Sequence, residues 1–122
     1  MNGIKWLLDT NMVIGLLKKR PAAIALAEAQ NLEMNQAAVS QITRMELLGF
    51  PGIASGEETS IHAFLRNCHI LLIDEAIENA AIQLRRSKAC KLPDAIIAAT
   101  AQVHQIILLT LDQHLDKESK TP

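Results

Sequence analysis

The sequence predicts an α/β fold in which a short, mainly parallel sheet carries helices on both faces. Apolar runs of strand length alternate with longer segments in which apolar residues recur at helical spacing. The runs are apolar at nearly every position, which is typical of parallel strands buried on both faces. A chain of 122 residues can bury a core of its own, and we expect a single domain over residues 1–122.

The first strand is predicted at residues 4–8, where an apolar run ends at three small polar residues, Asp9-Thr10-Asn11. These residues begin helix 11–19, which ends before Pro21 because proline cannot continue it. Pro21 also suits the first turn of the next helix, at residues 22–29.

The rest of the chain continues this alternation. Strands are expected at residues 36–39, 69–73 and 106–109, and helices at residues 40–48 and 93–104. Two further helices are expected, one that contains the apolar stripe of Ile61, Phe64, Leu65 and Cys68, and one that begins after the capping residue Asp74. Residues 113–122 are mostly polar, and we expect them to form a frayed tail.

Composition narrows the functional classes. Aromatic residues make up only 2% of the chain, so stacking of bases on aromatic rings cannot be the main way of holding nucleic acid. The net charge of -1 argues against a protein that coats DNA, but it is compatible with a nucleic-acid substrate if bound cations neutralise a group of acids. The sequence has no charged leader and no apolar run of membrane-spanning length. We therefore expect a cytoplasmic protein without membrane association.

Several other chemistries lack their motifs. The histidines form no HExxH pattern, and the glycines form neither GxGxxG nor GxxxxGK after a strand. No GxSxG segment is present to supply a serine nucleophile. Zinc peptidases, nucleotide-binding proteins and serine hydrolases are therefore unsupported.

Four acidic residues stand at places where ligands often bind in such folds. Asp9 and Asp112 follow predicted strands, and open α/β sheets bind ligands beyond the carboxyl ends of their strands. Asp94 lies in the first turn of a helix, and Glu46 shares a helix face with Ile42. Three of these acids also have an ordinary interpretation, with Asp9 as a helix cap, Glu46 as a solvated residue and Asp94 as a partner of the helix dipole.

The four acids would need a cation if they converged. Their mutual repulsion would raise their pKa values and destabilise the fold unless a divalent ion intervened. A site made only of carboxylate oxygens selects Mg²⁺ or Mn²⁺ rather than Zn²⁺, and such ions activate water and neutralise the charge that develops on a phosphodiester. The order of the strands, which decides whether the acids converge, does not follow from the sequence.

Four segments resemble the signature segments of PIN domains, and most closely those of the VapC-type toxins of bacterial toxin–antitoxin pairs. In chain order they are L-L-D-T-N at 7–11, T-R-M-E-L-L at 43–48, L-P-D-A-I-I-A-A-T-A at 92–101 and L-L-T-L-D at 108–112. The resemblance implies an α/β/α sandwich that cleaves RNA with Mg²⁺ or Mn²⁺. It also implies a homodimer and a small antitoxin that keeps the toxin silent.

The same resemblance implies roles for individual residues. The catalytic metal ligands would be Asp9, Glu46, Asp94 and Asp112, supported through hydrogen bonds by Asn11 and Thr110. At Leu115 family members often have an aromatic or an acid, and Asp116 follows, so either Asp112 or Asp116 could complete the site. Asp112 is favoured because it directly follows the predicted strand. Whether the acids hold one ion or two is equally open.

Basic residues that could contact RNA phosphates near the acids are Arg44, Arg85, Arg86, Lys88 and Lys91. Solvation of basic side chains at helix ends is the ordinary alternative.

We therefore predict a metal-dependent endoribonuclease, the toxin of a type II toxin–antitoxin pair, in which a metal-activated water hydrolyses RNA. One alternative is a non-catalytic PIN-fold module that binds protein or nucleic acid, although the presence of all four acids speaks against it. The other is a phosphodiesterase that acts on DNA, or in RNA processing outside a toxin–antitoxin pair.

Overall fold

The computed structural model describes residues 3–88 and 90–120, and strands and helices alternate through them as predicted. The strands are β1 (Trp6–Leu8), β2 (Ala37–Ser40), β3 (His69–Leu71) and β4 (Ile107–Leu109). The helices are α1 (Thr10–Leu17), α2 (Pro21–Ala29), α3 (Gln41–Leu48), α4 (Ser55–Arg66), α5 (Glu75–Lys88), α6 (Leu92–His104) and α7 (Gln113–Lys120). A short 3-10 turn at Met34–Gln36 precedes β2.

The strands form a parallel sheet in the order β3-β2-β1-β4. Strand β1 is an inner strand, and its Leu7 lies opposite Ala38 of β2 and Leu108 of β4. Because all strands run in one direction, their carboxyl ends meet at the same edge of the sheet. The segments that follow β1, β2 and β4 therefore leave the sheet side by side, and they carry Asp9, helix α3 and Asp112.

Successive side chains of β1 point to opposite faces of the sheet and enter two separate cores. Leu7 packs with residues of α5, α6 and α7, whereas Trp6 and Leu8 pack with residues of α1, α2, α3 and α4. Burial of one leucine side chain contributes about 1.5–3 kcal/mol, so both cores hold their helices firmly against the sheet. The result is the predicted α/β/α sandwich.

Helix α6 lies close against the sheet because small side chains occupy its inner face. Ala95, Ala98 and Ala99 are fully buried, and Ala101 is 2% exposed. Short side chains let a helix approach its neighbours closely. This packing fixes the first turn of α6, which carries Asp94, beside the sheet.

The end of the chain corrects one prediction. Residues 113–122 were expected to fray, but Gln113–Lys120 form helix α7, while residues 121–122 lie outside the described residues. Asp112 caps this helix, because its Oδ1 accepts a hydrogen bond from the Leu115 N–H at 3.2 Å. Leu115 is only 3% exposed and packs in the same core as α6. A cap and one buried leucine therefore outweigh the polar composition of the segment.

Within residues 3–88 and 90–120, none of the helices combines the length and the apolar character that crossing a membrane requires.

Candidate functional site

A cavity of about 370 Å³ brings together all four acids singled out in the sequence. It is called the acid cavity below, and its lining residues are Asp9, Thr10, Asn11, Ile14, Glu46, Gly49, Phe50, Pro51, Asp94, Ile97, Asp112 and Leu115. The acids come from four segments that are distant in sequence: the end of β1, helix α3, the start of α6 and the turn after β4. The parallel sheet brings Asp9, helix α3 and Asp112 together, because the carboxyl ends of its strands share one edge, and the packing of α6 against the sheet adds Asp94.

Asp9 is the most deeply buried of these acids and is only 2% exposed. Its Oδ1 accepts a hydrogen bond from the Met12 N–H at 2.7 Å, so it does cap helix α1. Its Oδ2 accepts a hydrogen bond from the Thr110 hydroxyl at 2.5 Å. Asp9 can therefore cap a helix and line the acid cavity at the same time, because Oδ1 caps α1 and Oδ2 binds Thr110 at the end of β4.

The surroundings raise the pKa of Asp9 above its ordinary value, chiefly because burial disfavours the charged form. The negative charges of Asp112 and Asp94 add to this rise. The hydrogen bonds from Thr110 and Met12 oppose it without cancelling it. Asp9 thus has the electrostatic environment that a bound cation would relieve.

Thr110 links two parts of the cavity. Its hydroxyl donates to Asp9, and the same oxygen accepts a hydrogen bond from the Asp112 N–H at 3.0 Å. The side chain therefore ties the end of β1 to the turn after β4. Asn11, the other residue predicted to support the ligands, also lines the cavity. The supporting roles of both residues stay predictions.

Glu46 is held by Thr10, which in turn contacts Thr43, and neither threonine was predicted in this role. The Thr10 hydroxyl donates to Glu46 Oε1 at 2.6 Å. The hydroxyl oxygens of Thr10 and Thr43 are 3.1 Å apart. A hydroxyl has one proton and a carboxylate accepts, so Thr43 must be the donor in the second contact. The spacing of three residues on one helix face could have drawn attention to Thr43, but the sequence offered no signal for the contact between Thr10 and Glu46.

Asp112 and Asp116, the two candidates for the last acid of the site, differ in their position relative to the acid cavity. Asp112 lines the acid cavity, whereas Asp116, one turn further along α7, is not among its described lining residues.

Four carboxylates with no histidine or cysteine among the lining residues form a donor set that suits Mg²⁺ or Mn²⁺. As the side chains stand, however, no three His, Cys, Asp or Glu residues in the described part of the chain form a group that could hold a metal ion. Glu46 is bonded to Thr10, and Asp112 to the backbone of Leu115. The chemistry of the four carboxylates and their position around one cavity fit a hard divalent cation. Some of these carboxylates would have to reorient in order to bind the ion.

The predicted basic residues lie elsewhere. None of Arg44, Arg85, Lys88 and Lys91 is among the residues that line the acid cavity. All four are exposed, on α3, on α5 and just before α6. Arg85 lines a different cavity, of about 440 Å³, as does Arg86. Their contacts to RNA stay a prediction.

A second opening, mostly apolar, adjoins the acid cavity. This apolar groove has a volume of about 310 Å³ and runs between α1, α3 and α4. Its apolar walls include Leu17, Leu47, Ile53 and Ile61. The groove shares Ile14, Glu46 and Phe50 with the acid cavity, so the two openings are continuous at those residues.

Comparison with known proteins identifies the family. Residues 6–120 match the PIN domain, so the chain belongs to the PIN domain family, as its four segments predicted.

Solved structures of relatives agree with this assignment. A toxin–antitoxin complex from Klebsiella pneumoniae matches with 35% identity and a TM-score of 0.75, over 89% of this chain and 88% of that one. FitAcB from Neisseria gonorrhoeae matches with 25% identity and a TM-score of 0.77, over 95% and 94%. VapBC-1 from nontypeable Haemophilus influenzae shares the fold at 23% identity and a TM-score of 0.71, over 94% and 92%. A comparison with curated proteins finds no match.

Proposed function

We propose that this protein is a metal-dependent endoribonuclease and the toxin of a toxin–antitoxin pair. The observation that carries the proposal is the gathering of Asp9, Glu46, Asp94 and Asp112 around one cavity in a PIN domain. The hydrogen bonds to both oxygens of Asp9 support it, because a carboxylate that is positioned in advance needs little reorganisation during the reaction.

The four carboxylates would hold Mg²⁺ or Mn²⁺, which would supply an activated water and neutralise charge on the phosphodiester. The chain's own residues prepare that site. Thr110 and the Met12 N–H fix both oxygens of Asp9. Thr10 orients Glu46, and the first turn of α6 places Asp94 at the positive end of a helix dipole.

The reaction requires no nucleophilic side chain, since water attacks the phosphorus and the 3′ or 5′ oxygen leaves. Asn11 at the rim of the cavity supports the ligands or the substrate through its amide. The exposed Arg44, Arg85, Lys88 and Lys91 contact RNA phosphates beyond the cavity, as the sequence predicts. We further propose a cytoplasmic location, where a nuclease of this kind would meet cellular RNA.

The partners of this toxin are a cognate antitoxin and a second copy of the chain. The Klebsiella relative, at 35% identity, is a toxin–antitoxin complex. In this chain the apolar groove would bind an apolar segment of an antitoxin. Glu46, at the junction with the acid cavity, would form an ion pair with a cationic residue of that segment.

The prediction for the groove is that Ile53→Asp weakens antitoxin binding and leaves RNA cleavage intact.

The catalytic proposal is tested by incubating purified protein with labelled RNA and with DNA of equal sequence, in Mg²⁺, in Mn²⁺ and in EDTA. The wild type should cut RNA only, and only with metal. Asp9→Asn should lose at least about 100-fold in rate, because it removes a charged ligand. Asp74→Asn is the matched control, since Asp74 also follows a strand and caps a helix but lies outside the acid cavity.

Three outcomes would contradict the proposal. Equal cleavage of DNA would favour a general phosphodiesterase. Binding of RNA without cleavage in any metal would favour a non-catalytic module. Cleavage that survives Asp9→Asn would place the active site elsewhere.

A further inference from the structure

Phe50 is a large aromatic side chain that stays exposed at the rim of the acid cavity. It is 61% exposed and lines both the acid cavity and the apolar groove. The chain has two other Phe or Trp residues, and both serve the core: Trp6 is 6% exposed, and Phe64 packs partly buried in the same core. Phe50 forgoes most of the stabilisation that burial of its ring would give, which fits a side chain that contacts a ligand.

The backbone around Phe50 is held in a tight turn just after helix α3. The Phe50 carbonyl accepts a hydrogen bond from the Ile53 N–H at 3.2 Å, and Pro51 and Gly52 lie between them. Gly52 has a φ of 78°, so residues 50–53 have the features of a type II β-turn. Ile53 packs against the core that α1, α2, α3 and α4 share. The ring therefore projects from backbone that needs little ordering when a ligand binds.

We propose that the ring of Phe50 stacks on the base of an RNA nucleotide next to the phosphodiester that is cut. The inference deepens the proposed function and rests on it, because it names how that site holds its substrate. Asp9, Asp94 and Asp112 line the same cavity as Phe50, so a phosphate held at those acids brings a neighbouring base to the ring. Every base presents a π face, and stacking on one aromatic side chain strengthens the binding of a single strand about tenfold.

A nucleotide suits this ring better than a protein segment in the apolar groove does. The groove has aliphatic walls at Leu17, Leu47, Ile53 and Ile61, which suit an aliphatic segment. Phe50 stands instead at the junction with the acid cavity, where the substrate lies in the proposed reaction. One ring is also compatible with the low aromatic content of the chain, since it holds one base and leaves the rest of the RNA to other contacts. Because purines have the larger face, the ring would favour a purine at this position.

Tryptophan fluorescence tests the stack without relying on cleavage. The double variant Asp9→Asn/Phe50→Trp carries an indole at the rim and should bind RNA without cutting it rapidly. Single-stranded RNA added with Mg²⁺ should quench its emission as the base stacks. Asp9→Asn alone is the control, because Trp6 is only 6% exposed and its emission should not change. Anisotropy of a labelled copy of the same RNA measures binding in both samples.

Steady-state cleavage separates the ring from its apolar bulk. Phe50→Leu should raise the KM for RNA about tenfold and leave kcat within about twofold of the wild type, since the stack holds substrate and transition state alike. Phe50→Tyr should keep the wild-type KM. Met45→Ala is the matched control, because Met45 is an apolar side chain that is 57% exposed on α3 but is not among the residues that line the acid cavity. It should change neither constant.

Substrates with one missing base identify the partner of the ring. RNA with an abasic nucleotide at successive positions should lose about tenfold in kcat/KM at one position beside the cut when the wild type is used. Phe50→Leu should show no further loss at that position, because the stack is already absent.

Three results would overturn the inference: emission that RNA binding does not quench, a wild-type KM in Phe50→Leu, or abasic substrates that affect the wild type and Phe50→Leu equally at every position. The second result would leave the ring to the protein partner of the apolar groove. Failure of the proposed function is distinguishable from these results. A wild type that binds RNA and cuts none in any metal would refute the nuclease, and quenching in Asp9→Asn/Phe50→Trp would still establish the stack. Metal-dependent cleavage without quenching would refute the stack alone.

Discussion

Replacement of Asp9 by Asn separates the two tasks that this residue performs. Asn caps helices as well as Asp does, so the hydrogen bond to the Met12 N–H should survive. The negative charge, which is buried beside Asp94 and Asp112, disappears. Asp74→Asn again serves as the control, because Asp74 Oδ1 accepts from the Ile77 N–H at 2.9 Å in the same capping role but is exposed.

The sign of the expected effect follows from the raised pKa of Asp9. A carboxyl group whose pKa is higher in the folded than in the unfolded state stabilises the fold at low pH, and this contribution is lost as the pH rises through the folded pKa. Asp9→Asn removes the destabilisation that the charged, buried carboxylate causes above this pKa. Burial of a polar group costs about 1–3 kcal/mol in proteins, and we take this as the range of the free energy regained when the charge is removed. A weaker hydrogen bond to Thr110 costs about 1 kcal/mol, so we expect a net gain in the free energy of unfolding of about 1 kcal/mol near neutral pH.

Thermal unfolding in EDTA between about pH 4 and pH 8 measures this effect. The melting temperature of Asp9→Asn should exceed that of the wild type by about 4 °C near neutral pH, and the difference should shrink toward low pH. Asp74→Asn, at an exposed cap, should not show the gain in stability at neutral pH. A loss of stability in Asp9→Asn at neutral pH, or a gain that is largest in acid, would refute the assignment of Asp9 as a destabilising buried charge.

Further variants test the packing and the threonine contacts. Leu115→Ala should cost about 2–5 kcal/mol in chemical denaturation because it empties a buried site under α7, and an unchanged midpoint would mean that α7 is not docked. Thr43→Val should reduce RNA cleavage about fivefold with little loss of stability, since one hydrogen bond that orients Thr10 is removed, and full activity would contradict that role. Gly15→Ala should destabilise by about 1–3 kcal/mol, because its Cβ would lie 2.7 Å from Ala23 Cβ. Gly56→Ala, with open space around it, should be neutral or stabilising by up to about 1 kcal/mol.

Much of the fold was predictable because it depends on neighbours in sequence. The apolar run before Asp9 and the proline at residue 21 determine where a strand ends and a helix begins. The alanines of α6 likewise indicate a buried helix. The prediction failed at residues 113–120, where a cap and a single leucine hold a helix that its composition disfavours.

The candidate site was only partly predictable, because its geometry depends on strand order. Each acid could be named from its position after a strand or within a helix, but the β3-β2-β1-β4 order that brings Asp9 and Asp112 together is a property of the whole sheet. Thr10 was missed as a partner of Glu46 because 36 residues separate them. Contacts at that distance leave no local pattern in a single sequence.

Glu46 forms part of the wall of both the acid cavity and the apolar groove. A change at this position cannot alter one opening and spare the other. If the proposed antitoxin binds in the groove, a mutation at Glu46 that weakens its binding would also damage the proposed catalysis. Loss of inhibition without loss of activity would then require changes at other residues of the groove, such as Ile53 and Ile61. Related toxin–antitoxin pairs could diverge in partner choice at those positions and keep their activity.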